Sequence, residues 1–269
     1  MTLPAYAMNQ SNFAEMYERW IVGPLFKPWA EILLDRAQLT ASESVLDIAC
    51  GTGIVARLAL QHLSPNARVV GVDLSPEMLA VARSLEPAAD WREGNVEALP
   101  LQSGESFDVV LCQQGLQFFS DKPAACREMK RALKNGGRLA LAVWTAMEEN
   151  PLLLELHRVA ERRFGPFVDH RHSFGDPVAL ERLLVDAGFK DVRVERVVLP
   201  VLFSDPAMFV RLTSQASVGM SPACAKMTAE ERASTAQSLA EENAEIARRY
   251  TDSEGLKLEV SANLATARI

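Results

Sequence analysis

The chain is poor in the residues that build metal clusters and disulfide frameworks. Four cysteines occur in 269 residues: Cys50, Cys112, Cys126 and Cys224. No two stand at C-x-x-C spacing and no histidine cluster accompanies them, so neither a metal site nor a disulfide scaffold is expected. Cys50 and Cys112 end apolar runs and read as small buried residues. Positive charge is in deficit, with 28 Lys and Arg against 35 Asp and Glu and a net charge of −7. A general nucleic-acid binder needs a basic face, and this balance argues against one. No apolar run reaches the roughly 18 residues of a bilayer-spanning helix. The first residues hold no basic segment followed by an apolar core, so neither a secretory signal nor membrane insertion is expected, and a cytoplasmic location is the default. Repeats and low-complexity tracts are missing too.

What remains is a globular composition, 48% hydrophobic and 23% charged, long enough for one large domain with a cap. Residues 6–40 carry an amphipathic stripe (Phe13, Met16, Tyr17, Trp20), which predicts helix interrupted at Gly23-Pro24 and at Pro28. Beyond it, short apolar runs alternate with longer amphipathic stretches. Strands are predicted over 44–50, 68–73, 90–92, 107–113 and 137–144, with helices between them and Lys134-Asn135-Gly136-Gly137 as the turn before the fifth strand. This rhythm predicts an α/β fold, a doubly wound and mainly parallel sheet with helices on both faces. After Trp144 the alternation breaks. Helices are predicted over 150–164, 176–187 and 205–250, and strands over 192–202 and 256–266. We expect residues 1–40 to form an N-terminal helical lid on a domain spanning 41–269, with cap insertions around 145–175 and 205–250.

The most specific stretch is Val45-Leu46-Asp47-Ile48-Ala49-Cys50-Gly51-Thr52-Gly53, followed by Gly71-Val72-Asp73-Leu74-Ser75. An apolar strand runs into a glycine-rich turn, a helix follows, and a second strand ends in a carboxylate. Glycine lets backbone approach a ligand, and the helix N-terminus aims its free N–H groups at the same place. An acidic residue at such a strand end accepts hydrogen bonds from ribose hydroxyls. Ligands of such sheets bind beyond the strand C-termini where strand order reverses, which would bring Cys50, Asp73 and Gln113 together. Gly51-Thr52-Gly53-Ile54-Val55-Ala56 also satisfies the loose G-x-G-x-x-G/A dinucleotide pattern, so an NAD-dependent oxidoreductase stays open. Against it, Asp47 would repel a pyrophosphate while welcoming a ligand ammonium. Asn95 and the Val96 N–H could in turn meet an adenine edge.

Together with Gly94-Asn95-Val96-Glu97-Ala98-Leu99-Pro100, Ser106-Phe107-Asp108-Val109-Val110, Leu116-Gln117-Phe118-Phe119 and Gly136-Gly137-Arg138-Leu139, these motifs resemble those of class I S-adenosylmethionine-dependent methyltransferases. The likeness is strongest to the small-molecule branch related to ubiquinone and menaquinone C-methyltransferases, and it covers about residues 40–145. The resemblance implies a Rossmann-like seven-stranded sheet with a helical cap and S-adenosyl-L-methionine as cofactor. It implies that Asp47, Ala49 and the Gly51–Gly53 turn hold the methionine end, Asp73 the ribose, and Asn95 with Val96 the adenine. Leu74 would pack on the adenine face and Gln113 would approach the methionine moiety. The family usually has Asp where this chain has Asn95. Tyr17 and Trp20 could close over the cofactor.

Methyl transfer from a sulfonium needs alignment above all, and a base only where the acceptor must lose a proton. His157, His170 and His172 are candidate bases, whereas His62 is expected to face solvent. The apolar cap residues Phe164, Phe167 and Phe174, with the acidic charge balance, point to a small and partly apolar acceptor methylated at O, N or C. A noncatalytic cofactor-binding protein also stays open, as does a homodimer.

Overall fold

The computed structural model describes residues 13–269. The predicted helix over 6–12 lies outside the described residues. The N-terminal rod comprises α1 (Phe13–Tyr17), a π-helical stretch (Glu18–Phe26) and α2 (Lys27–Ala37), without the predicted interruption. Pro24 sits inside the wide π segment, where the Lys27 N–H reaches back five residues to the Val22 carbonyl. The widened turn gives the proline ring the room that an α-helical turn would deny it. Pro28 falls in the first turn of α2, where a missing N–H is tolerated.

The strands are β1 (Val45–Ile48), β2 (Val69–Asp73), β3 (Asp90–Glu93), β4 (Phe107–Gln113), β5 (Leu133–Trp144), β6 (Lys190–Phe203) and β7 (Leu256–Arg268). They form one seven-stranded sheet in the order β3-β2-β1-β4-β5-β7-β6. The first five pair in parallel, and β7 runs antiparallel to both neighbours. The remaining helices are α3 (Ile54–His62), α4 (Pro76–Leu85), α5 (Lys122–Arg131), α6 (Pro151–Phe164), α7 (Pro177–Asp186), α8 (Pro206–Met220) and α9 (Ala229–Arg248). Strand order reverses between β1 and β4, and a crevice opens beyond their C-terminal ends.

Strand alternation divides the core. Val45, Val69, Val109, Leu111 and Ala140 face α2, α3 and α4, burying Trp29, Leu33, Ala59 and Leu79. Leu46, Ile48, Val70, Val110 and Leu139 point the other way, against Met129 of α5 and Leu180 and Leu184 of α7. A third cluster joins α6, α8 and α9 through Val159, Val218 and Leu239. Ser75 caps α4 by accepting from the Met78 N–H, with Pro76 in the first turn.

One boundary moves. The helix between the fourth and fifth predicted strands ends at Arg131, and β5 begins at Leu133 rather than at the predicted residue 137. Phe107 pairs with Leu133, the register then shifts, and Val109 pairs with Arg138. Lys134 to Gly137 is therefore a bulge inside β5 rather than a turn before it, and Gly136 takes the positive φ (78°) that such a bulge favours.

Leu33 is fully buried between the rod and the sheet. Leu33→Ala should lower stability by about 2–5 kcal/mol, measured as a shift of the urea unfolding midpoint at unchanged slope.

Candidate functional site

Three strand-end turns build the site. After β1 the chain turns through Ala49 (φ 55°), Gly51 (φ 55°) and Gly53 (φ 84°). Only the glycines adopt this region without cost, so strain is concentrated at Ala49. A Cβ on Gly51 would meet nothing within 4 Å, because this part of the turn faces open space. Gly53 differs: a Cβ there would stand 2.2 Å from the Trp91 ring. Its side is pressed against β3, so it serves packing and does not face the crevice.

Asp73, at the tip of β2, joins two turns. Its Oδ2 accepts the Gly51 N–H at 2.8 Å and its Oδ1 the Ser75 N–H at 2.9 Å. Burial raises its pKa, against the pull of these N–H donors. Asp47 does not face the crevice either. It lies beneath the glycine turn, where Oδ2 accepts the Ala56 N–H of α3 at 3.1 Å and Oδ1 has no partner among the described residues. Burial pushes its pKa up to about 8, against the Ala56 N–H, and the charge of Asp73 adds to that rise. Burial also raises the Cys50 and Cys112 thiols, which leaves both un-ionised and unreactive.

At the tip of β4, Gln113 donates its Nε2–H to the Phe26 carbonyl at 3.0 Å, fastening the N-terminal rod across the crevice. Gln114 follows with φ 54°. A Cβ on Gly115 would stand 2.6 Å from the Ala49 Cβ, so the first and fourth strand turns touch. Among the described residues, the Oε1 of Gln113 and both amide atoms of Gln114 are buried without a hydrogen-bond partner. Unmatched amides of this kind are costly unless a polar ligand meets them.

These groups open into a cavity of about 320 Å³. At its sheet end Ala49, Gly51, Asp73, Leu74, Val96 and Gln113 form the wall, joined by Ser75, Met78 and Gln114. Of the residues expected to hold a cofactor, Asp47, Gly53 and Asn95 are not in this wall. Asn95 is turned to its own loop, its Oδ1 accepting the Glu97 N–H at 3.0 Å. Away from the sheet tips the wall becomes apolar, with Phe26, Trp144, Phe203, Phe209, Leu258 and Val260. Tyr17 also lines the cavity, packed on Phe26 with ring centroids 5.2 Å apart. Trp20 does not; it stacks with Arg19.

The histidines separate. His62 is exposed, as expected, and so is His170. His157 packs edge-on against Phe167 at 4.7 Å and lies 3.5 Å from Glu161, outside the cavity wall. His172 alone of the three candidates lines the cavity, beside Arg171. Arg171 is gripped by Asp169, whose carboxyl burial would raise but which the guanidinium holds down at about 2. Sequence reading missed Gln114, Arg171 and Thr213 as wall residues. Gln114 had a signal in its place beside Gln113 at a strand tip, and Arg171 in standing between two histidines. Among the described residues no three His, Cys, Asp or Glu side chains could hold a metal ion, and no helix is long and apolar enough to cross a membrane.

Comparison with known proteins agrees with this geometry. The methyltransferase-domain family matches residues 46–141. A demethylmenaquinone methyltransferase of Thermus thermophilus is 33% identical over 62% of this chain and 83% of its own length. A 37.1 kDa protein of transposon TN4556 from Streptomyces fradiae is 32% identical over 61% of this chain, and the match spans 48% of that protein. In fold, phosphoethanolamine N-methyltransferase 2 of Haemonchus contortus, solved with S-adenosyl-L-methionine, superposes with a TM-score of 0.58 at 17% identity, covering 96% of this chain and 57% of that one. The chain belongs to the class I S-adenosylmethionine-dependent methyltransferases. The oxidoreductase alternative is thereby set aside.

Asp47 yields a prediction. Its folded pKa of about 8 lies above the unfolded value near 4, so the folded state holds the extra proton between these limits and loses stability as pH rises through them. Asp47→Asn removes that titration. The variant should gain on the wild type between about pH 5 and pH 8, by at least about 1 kcal/mol at the upper end. Urea unfolding at both pH values measures the gap, and a gap that stays constant with pH would contradict a proton held at Asp47.

Proposed function

We propose that this chain transfers a methyl group from S-adenosylmethionine to a small, largely apolar acceptor, in the one cavity that joins the strand tips to the aromatic chamber. The observation that carries this reading is the division of that cavity. One end offers Asp73 and three unmatched amide atoms of Gln113 and Gln114, and the other offers almost only aromatic and aliphatic wall.

The residues present fit the cofactor. Asp73 keeps lone pairs on both oxygens for ribose hydroxyls. Leu74 and Met78 offer an apolar surface to the adenine, and the Val96 N–H remains for its edge. Ala49, Gly51, Gln113 and Gln114 are left for the methionine end. Asp47 supports this turn from below, holding the start of α3. S-adenosylmethionine, when bound, supplies a methyl group on a sulfonium with a good leaving group. The protein's part is then orientation: the strand tips fix one reactant and the chamber the other, which converts binding into rate. In this reading the rod Phe13–Ala37 is a lid pinned by Gln113, while α6, α8 and α9 are a cap whose α8 side chains Phe209 and Thr213 enter the chamber.

Relatives are named for methylation of demethylmenaquinone, and the aromatic chamber is compatible with a ring-sized acceptor. Calorimetry with S-adenosylhomocysteine tests the cofactor site. The wild type should bind it, and Asp73→Ala and Asp73→Asn should each weaken binding at least about tenfold, roughly 1.4 kcal/mol. Unchanged affinity in both folded variants would remove Asp73 from the ribose site. No binding by the wild type would remove the cofactor reading altogether.

A further inference from the structure

We propose that His172 is the general base of this cavity and that the acceptor is an apolar ring compound bearing one acidic hydroxyl, a phenol or enol. The inference rests on the methyl-transfer reading of the same cavity and adds to it the proton acceptor and the class of acceptor.

Four observations converge. First, His172 lines the chamber, and its Nδ1 lies 2.9 Å from the Thr145 carbonyl. A carbonyl can only accept, so Nδ1 carries the proton and Nε2 holds the lone pair. Among the described residues Nε2 has no hydrogen-bond partner. Second, the ring is built in. Thr145 Oγ1 and Ser261 Oγ share a hydrogen bond of 2.5 Å, and Asn150 donates to the Ala146 carbonyl at 3.1 Å. Gly175 lies so close to this backbone that a Cβ would stand 2.2 Å from the Ala146 nitrogen, while Asn263 donates to the Gly175 carbonyl at 2.8 Å. The loop carrying His172 is thus stapled to the end of β5 and to the middle of β7.

Third, the imidazole is neutral when it is needed. Burial lowers its pKa, the adjacent Arg171 lowers it further, Asp169 opposes, and His157 adds a small push downward. These are the titratable groups that bear on it. Fourth, the polar corner suits an anion in formation. Arg171 faces the chamber, while the one carboxylate nearby, Asp169, is turned onto that guanidinium. An ammonium acceptor would find no carboxylate of its own there; a hydroxyl that becomes an oxyanion finds a base and a cation.

The step balances. The acceptor O–H bond breaks and its proton moves to His172 Nε2. The electron pair left on the acceptor forms the new bond to the methyl carbon as the methyl–sulfur bond breaks, with that bonding pair remaining on sulfur. Attack from oxygen gives an ether; attack from the conjugated ring carbon is followed by loss of that carbon's proton and return of one to oxygen. In either case one proton is released through the imidazolium to solvent.

Two probe acceptors test this at about pH 8: 2-naphthol, whose hydroxyl is still protonated there, and 4-nitrophenol, which is already an anion. His172→Asn keeps a donor near the Nδ1 position for the Thr145 carbonyl and removes the base. It should cut turnover of 2-naphthol by about 100-fold, cut that of 4-nitrophenol less than threefold, and leave the affinity for S-adenosylhomocysteine unchanged. His172→Gln, which fills the outer position of the ring without a basic nitrogen, should do the same and guards against a loosened loop. A loss below tenfold on 2-naphthol, or an equal loss on both phenols, would overturn the base assignment. A wild type that binds S-adenosylhomocysteine yet methylates neither phenol would overturn the acceptor class. A wild type that does not bind it would remove the cofactor reading and this inference together.

Discussion

One carboxylate holds the sheet end of the site together. Asp73 takes a backbone N–H from the glycine turn after β1 and another from the turn after β2. Each turn leads into a helix, α3 or α4, so two helix N-termini and two strand tips are referenced to a single pair of oxygens. The arrangement is poised. Burial works to neutralise the carboxyl, and the two N–H donors work to keep it charged. A carboxylate so held has its orientation set by the backbone of both turns.

The sheet end was largely legible because its chemistry is local. Strand, glycine turn, helix and terminal carboxylate follow one another within 30 residues, and each carries its own signature of period or φ. β4 lies where its apolar run predicts, over Phe107–Gln113, with Gln113 at the tip. Misplacements arose where geometry beyond the motif decides. Gly53 resembles a ligand-facing glycine, yet its need for hydrogen is set by Trp91, 38 positions away in β3. Asn95 resembles a base reader, but an Asx turn onto the Glu97 N–H already engages its oxygen. Pro24 reads as a helix breaker, and a π-helical turn absorbs it. Lys134-Asn135-Gly136-Gly137 reads as a turn, and the pairing of Leu133 with Phe107 makes it a bulge.

The chamber end could not be read in the same way, because no stretch of sequence contains it. Its walls come from the rod (Phe26), the end of β5 (Trp144), the close of β6 and start of α8 (Phe203, Phe209) and from β7 (Leu258, Val260). These residues share no period and no spacing. They meet because β7 inserts antiparallel between β5 and β6, which the order β5-β7-β6 imposes. The three candidate histidines show the same limit. Composition puts them on an equal footing, and only tertiary placement separates His172 in the wall from His157 against Phe167 and from the exposed His170.

Both ends of the cavity follow one rule: polar side chains of its wall are positioned by backbone N–H and C=O partners rather than by ion pairs. Gly51 and Ser75 N–H fix Asp73, the Phe26 carbonyl fixes Gln113, and the Thr145 carbonyl fixes His172. Arg171 is the exception, and its partner Asp169 is buried. Backbone partners are set by strand and helix geometry, so they hold their direction more firmly than two long charged side chains hold each other. Each contact also leaves part of the same side chain unmatched: Oε1 of Gln113, Nε2 of His172, the remaining lone pairs of Asp73. The fold thus fixes one half of each polar group through the backbone and, in the proposed reading, leaves the other half for a ligand, so that alignment does not depend on a ligand being in place.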